Sequence, residues 1–217
     1  MSTRYPHLYL IGLTGNIGCG KSTVVRLLAA HGAAVCDADQ VTRTVMQPGQ
    51  PAYAAIVERF GPAILAAPGG PIDRPALGRI VFSDPAALHR LEEIVHPATR
   101  TAIVQWLAEQ ERQATERNGR SVAVVDAIKL IEGGYPAICD AVWVVVCDER
   151  EQLRRLVESR GMTLADARQR IAAQPPQSAK VAVADVVIDN SGTVAETEQQ
   201  VAEAWQAIER VPMNETR

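Results

Sequence analysis

The stretch GNIGCGKS, Gly15–Ser22, has the spacing G-x-x-x-x-G-K-[ST]. Each of its residue types has a use against a polyphosphate. The glycines let backbone N–H groups turn inward and approach the ligand closely. Lys21 brings a cation to the β- and γ-phosphates, and Ser22 offers a hydroxyl to Mg²⁺. The expected ATP-binding segment is Gly15, Asn16, Ile17, Gly18, Cys19, Gly20, Lys21, Ser22 and Thr23. A second cluster, VCDADQV, sets Asp37 and Asp39 one residue apart after an apolar run. A carboxylate there can orient a hydroxyl acceptor and take its proton late in phosphoryl transfer, the role expected of Asp39. Asp37 is either a helix cap or an outer group of a magnesium site.

These residues need a frame. Leu8 to Leu13 is continuously apolar, as expected of a parallel strand buried on both faces. Ser22 to Ala30 reads as a helix stopped by Gly32, and Ala33 to Cys36 as a second strand, giving a βαβ unit. From residue 48 to residue 118 proline and glycine punctuate helical stretches near Ala52–Phe60, Pro75–Phe82 and Pro85–Val95. A longer helix is expected from about Pro97 through Trp106 toward Arg117. Strands return at Val122–Val125, ending in Asp126, at Ala141–Val146, and within Val183–Ile188. Asp126 reads either as a contact to Mg²⁺ through water or as an ordinary strand-end acid. Thr193 and Glu196 form a capping box for a last helix whose apolar face would hold Val194, Val201, Trp205 and Ile208. Trp106, Trp143 and Trp205 read as core residues.

The predicted fold is α/β: a five-stranded parallel sheet of the P-loop NTPase type flanked by helices, with a helical insertion and a helical lid. The expected division is 1–47 core with the phosphate loop, 48–118 insertion, 119–150 core, 151–178 lid, and 179–217 core with the final helix. The arginine-rich segment 151–178 would close over ATP and exclude water.

The chain has 217 residues, 47% apolar and 22% charged, with a net charge of −3. Nothing basic enough for a nucleic-acid partner stands out. No run approaches the roughly 20 apolar residues of a membrane span, and no secretory leader is read at the start. The four cysteines, Cys19, Cys36, Cys139 and Cys147, are scattered without C-x-x-C spacing, which fits a reduced cytoplasm. Cys19, inside the loop, is a candidate for oxidation. A monomer is expected. The guanine-reading tetrad N-K-x-D is absent, so a small-molecule kinase is favoured over a GTPase.

Further motifs then line up in order: GLTGNIGCGKST, VCDADQVTRTV, IDRPALGRIVF, LEEIVHPATR, EQLRRLVESR and ADVVIDNSG. Together, from about Ile11 to Gly192, they resemble the dephospho-CoA kinase family. The resemblance implies transfer of the ATP γ-phosphate to the ribose 3′-hydroxyl of dephospho-CoA, with Mg²⁺ as cofactor. It implies that Asp39 is the catalytic base, assisted by Lys21 and Arg155. His96 and Arg100 resemble the acceptor-side motif, Gln152, Arg155 and Arg160 the ATP- and phosphate-facing lid residues, and Asn190, Ser191 and Gly192 the adenine-side loop. The acceptor carries a diphosphate, so His96, Arg100, Arg160 and the other lid arginines have anionic partners to meet. Two positions depart from the family pattern. Asn16 stands where glycine is usual, and is expected to tolerate left-handed backbone. Lys129 stands in IKLIE where an apolar residue is usual, and either reaches a substrate phosphate or extends outward. A different kinase, acting on a nucleoside or small hydroxyl acceptor, and a non-catalytic nucleotide-binding module are the alternatives. Asp39, Lys21 and the lid arginines argue against the module.

Overall fold

The computed structural model describes residues 5–210. Five strands form one sheet in the order β2-β3-β1-β4-β5. They are β1 (Leu8–Gly15), β2 (Ala34–Asp37), β3 (Ser121–Asp126), β4 (Ala141–Val146) and β5 (Val186–Asp189). The pairings β1–β3, β1–β4 and β4–β5 are parallel. Their register sets Leu13 beside both Asp126 and Trp143, and Val146 beside Asp189. LYLIGLTG and AVWVVV are buried almost throughout, as strands covered on both faces must be.

The residues form two compact units. The first comprises the chain through Cys36 and from Glu109 onward. Its core joins Ile11, Leu13, Val124, Trp143, Val145 and Ile188 of the sheet. Val24 and Leu28 of helix α1 (Lys21–Ala30), and Val201, Trp205 and Ile208 of helix α9 (Val194–Glu209), complete it. His31 stacks on Trp205 with ring centroids 5.2 Å apart. The Thr193–Glu196 capping box is present at the start of α9. Val194, expected on the apolar face, is instead exposed; it sits in the first turn, and buried Thr197 takes the inward position one turn later.

The second unit, Asp37–Ala108, is helical. It holds α2 (Ala38–Val45), α3 (Pro51–Phe60), α4 (Arg74–Ser83) and the greater part of α5 (Pro85–Glu116). Its own core is built from Ile56, Ile64, Leu77, Val81, Ala87 and Val95. Where proline led us to expect two helices, α5 runs unbroken through Pro97. A proline inside a helix lacks one N–H donor and crowds the preceding turn. The apolar positions on both sides of Pro97, among them Val95, Ile103 and Leu107, are buried and hold the helix continuous.

The expected last strand also starts later. Lys180 to Ala184 belongs to helix α8 (Gln177–Val181) and the turn after it, so β5 begins at Val186. Asp185 fixes that start by accepting from the Val142 N–H at 2.8 Å through its carboxylate. Helices α6 (Glu149–Arg154) and α7 (Leu164–Ala172) complete the chain, separated by a π-helical turn, Arg155–Ser159.

Candidate active site

The loop between β1 and α1 follows from its glycines. Gly18 and Gly20 both have φ of 78°, in the left-handed region that an L side chain enters only at a penalty. Gly20 caps α1 without contributing a side chain, which leaves the positive end of the helix open to an anion. Asn16 does not use the backbone freedom anticipated for it: among the described residues Asn118 alone of the non-glycines has positive φ. The Asn16 amide instead donates to the Pro175 carbonyl at 2.9 Å.

That contact is one of several from the last third of the chain. Gln174 Oε1 accepts from the Ile17 N–H at 2.8 Å. Gln177 Oε1 accepts from the Cys19 thiol at 3.2 Å and from the Cys147 N–H at 3.1 Å. Gln152, buried, donates through Nε2 to the Ile17 carbonyl at 2.8 Å and to Cys19 Sγ at 3.3 Å. The Cys147 thiol, the Asn16 and Cys147 backbone contacts and the charge of Arg155 lower the pKa of Cys19, with burial opposing them; the same thiol contact raises that of Cys147. Sequence reasoning had no signal for Gln174 and Gln177 beyond their place in QPPQ.

Asn190 Nδ2 donates to the Cys19 carbonyl at 2.8 Å, while its Oδ1 accepts from the Thr197 hydroxyl at 2.8 Å. It therefore holds the phosphate loop directly. Ser191 Oγ accepts from the Asp148 N–H at 2.9 Å, and exposed Gly192 precedes the capping box. Arg155 spreads its guanidinium over three groups: Glu151 Oε1 at 2.7 Å, the Gly18 carbonyl at 3.5 Å and the Asn190 carbonyl at 2.7 Å. Hydrogen bonds from Arg154 and Arg155 hold the Glu151 carboxyl at a pKa of about 2. Arg154 itself is an exposed residue paired with Glu151 and Glu158, and Arg160 is exposed at the end of the π-helical turn.

Lys21, first in α1, forms an ion pair with Asp126 at the end of β3. Ser22 and Lys129 are exposed, Lys129 on the loop after β3. Close by is a cation that the sequence reading missed. Lys180 of α8 is 3% exposed, and its ammonium donates to the Ile128 carbonyl at 2.8 Å and to Thr14 Oγ1 at 3.2 Å. Nothing in QSAKV marks it; the burial comes from tertiary packing alone. Burial pushes its pKa down.

Thus the first unit gathers the loop, Lys21, Asp126, Gln152, Arg155 and Asn190 at the carboxyl ends of the strands. Asp39, His96 and Arg100 lie in the second unit, all exposed. Asp37 caps α2, accepting from the Gln40 N–H at 3.0 Å, which puts Asp39 in the first helical turn. His96 and Arg100 share one face of α5 at i, i+4 spacing. Thr42 of α2 meets Thr99 of α5, their hydroxyls 3.2 Å apart. Among the described residues no helix is long and apolar enough to cross a membrane, and no group of three or more His, Cys, Asp or Glu side chains is placed to hold a metal.

Comparison with known proteins bears on the family and the fold. The family model for dephospho-CoA kinase matches residues 9–196. The dephospho-CoA kinase of Geobacter sulfurreducens is 47% identical over 196 residues, covering 90% of this chain and 96% of the relative. That of Geobacter metallireducens is 45% identical over 207 residues, covering 95% and 99%. Among solved structures, a Thermus thermophilus protein superposes with a TM-score of 0.79 at 30% identity, covering 95% of this chain and all of its own. The Campylobacter jejuni dephospho-CoA kinase gives 0.67 at 26%, covering 93% and 97%. With a family model spanning most of the sequence and relatives matched nearly end to end, the chain belongs to the dephospho-CoA kinase family.

Proposed function

We propose that the chain transfers the γ-phosphoryl group of ATP to the ribose 3′-hydroxyl of dephospho-CoA, giving coenzyme A and ADP. The observation that carries this reading is the phosphate loop with Lys21 on Asp126 and its carbonyls held by Gln152, Arg155 and Asn190, in a chain of this family. Lys21 exchanges Asp126 for the β- and γ-phosphates. Arg155, already fixed on the Gly18 carbonyl, stands beside the loop as a further cation for the charge that develops during transfer. Asp39 orients the acceptor hydroxyl and accepts its proton as the bond to phosphorus forms. His96, Arg100, Lys129 and Arg160 contact the anionic groups of dephospho-CoA. Asn190, Ser191 and Gly192 line the adenine side.

The donor set suits Mg²⁺. Ser22, an exposed hydroxyl next to Lys21, and the carboxylate of Asp126 would hold the ion. Few protein oxygens, with phosphates and waters completing the octahedron, are the usual pattern for this ion. When bound it neutralises charge on the phosphates. Residues 48–118 form the acceptor-binding insertion and 151–178 the lid that excludes water from the transfer. The protein works as a cytoplasmic monomer without nucleic-acid or membrane partners.

The test is ADP release from Mg-ATP with and without dephospho-CoA, with the product mass measured. ADP formed only with the acceptor, and a product heavier by one phosphate, supports the reading. Folded protein that binds ATP yet gives no acceptor-dependent ADP refutes it and turns attention to nucleosides and to Lys129.

A further inference from the structure

Lys180 is a nearly buried cation, and its two hydrogen-bond partners are neutral oxygens, Thr14 Oγ1 and the Ile128 carbonyl. Water is a far better host for an ammonium group than such a site, so a structural purpose must show in the bonds. It does not. The Ile128 carbonyl already accepts a hydrogen bond from the Thr14 hydroxyl at 3.0 Å, so that loop is tied to β1 without the lysine. Glu132, on the loop after β3, and the Cys19 thiol favour the charged form of Lys180, while Lys21 at the head of α1 opposes it. Lys21 has its own carboxylate in Asp126. The site therefore holds two ammonium groups near the phosphate loop, and only one has a carboxylate as its hydrogen-bonded partner.

We propose that Lys180 is a second cation of the phosphate site, retained for its charge, whose counter-charge arrives with the polyphosphate of the nucleotide. The inference rests on the nucleotide-binding part of the function proposed above. It assigns a role to a residue outside the loop motif, on the helix that leads from the lid into β5. Its ammonium offsets the negative charge of the triphosphate from within a site of low dielectric, where charge acts more strongly than at the surface. Protonation follows from the same placement. Burial pushes the lysine pKa down, so the free protein loses this charge at lower pH than an ordinary lysine would, and bound phosphate restores it.

The test uses the full chain with Lys180→Met, which keeps length and apolar bulk and removes the charge, and Lys180→Gln, which keeps a donor for the two oxygens. Affinities for Mg-ATP and for adenosine are measured by calorimetry across pH, beside thermal melting. Expected is a loss of about 10- to 100-fold in ATP affinity in both variants. Adenosine binding should be unchanged, and melting temperature held or raised in Lys180→Met, because an apolar isostere replaces a buried charge. The fall of ATP affinity at alkaline pH should be shallower in both variants than in the native protein. Native ATP affinity in either variant overturns the proposal. So does recovery in Lys180→Gln alone, which would make the hydrogen bond the point, or failure of both variants to fold, which would make the role structural. Native protein that binds no ATP refutes the proposed function itself and this inference with it, whereas a normally binding variant refutes the inference alone.

Discussion

Gly20→Ala tests whether the phosphate loop is held from outside. A Cβ built on Gly20 would lie 2.0 Å from Asn190 Nδ2 and 2.9 Å from Arg155 Nη1, at a φ of +78°. Two penalties follow. The left-handed backbone costs about 1–2 kcal/mol for an alanine. The Asn190 side chain must also move, which breaks its bonds to the Cys19 carbonyl and the Thr197 hydroxyl. Each of those is worth about 0.5–1.5 kcal/mol, so the clamp adds about 1–3 kcal/mol. Gly32 supplies the control. Its φ is +96°, yet a Cβ there has nothing within 4 Å, so Gly32→Ala carries the backbone penalty alone. The expected losses are about 2–5 kcal/mol for Gly20→Ala and about 1–2 kcal/mol for Gly32→Ala. At about 2–4 °C per kcal/mol for a chain of this size, melting curves separate the two. Gly20→Ala should also lose ATP affinity, while Gly32→Ala keeps it. Adding Asn190→Ala to Gly20→Ala should destabilise by less than the sum of the single changes, because both remove the same contacts. Equal melting temperatures for the two glycine variants, or simple additivity with Asn190→Ala, would refute the clamp.

Lys21→Met should lower turnover by at least two orders of magnitude with the fold intact by circular dichroism; a folded variant of normal rate would remove the phosphate-loop assignment. Asp39→Asn should lower kcat far more than it raises the KM for ATP, and a change confined to ATP affinity would make Asp39 a nucleotide or metal ligand instead. The Cys139 thiol is pushed up to about 12 by burial first, and then by Asp140 and Asp185. The folded state therefore resists its ionisation while the unfolded chain ionises from about pH 9. The stability this contributes is complete below that pH and declines as pH rises toward 12. Melting temperature should fall with pH over that interval, and less steeply in Cys139→Ala; identical slopes would dismiss the assignment.

The parts of this molecule that were legible in its sequence are those in which local chemistry decides. Continuous apolar runs marked β1 and β4 because a doubly covered strand has no polar face to show. The Thr193–Glu196 box was visible because a cap is a contact between residues three apart. Glycines at left-handed positions announced the loop. The restraint on that loop was invisible: Gln152, Gln174, Gln177 and Asn190 each reach it from 133 or more residues away. No periodicity encodes such contacts. Lys180 was hidden for the same reason. Pro97 misled in the opposite sense, since a local rule for ending helices yielded to burial on both sides of it.

The strand order has a consequence for how the chain is made. Of the five described strands β1 leaves the ribosome first, yet it lies at the centre of the sheet, and its neighbours are β3 and β4. Both of its edges stay unsatisfied until residues 121 to 146 have been synthesised. Until then a nascent chain carries a bare apolar strand, the form most open to mispairing with another chain. Ribosome-bound chains ending before Ala141 should be digested by protease, and chains carrying β4 well outside the exit tunnel should gain resistance.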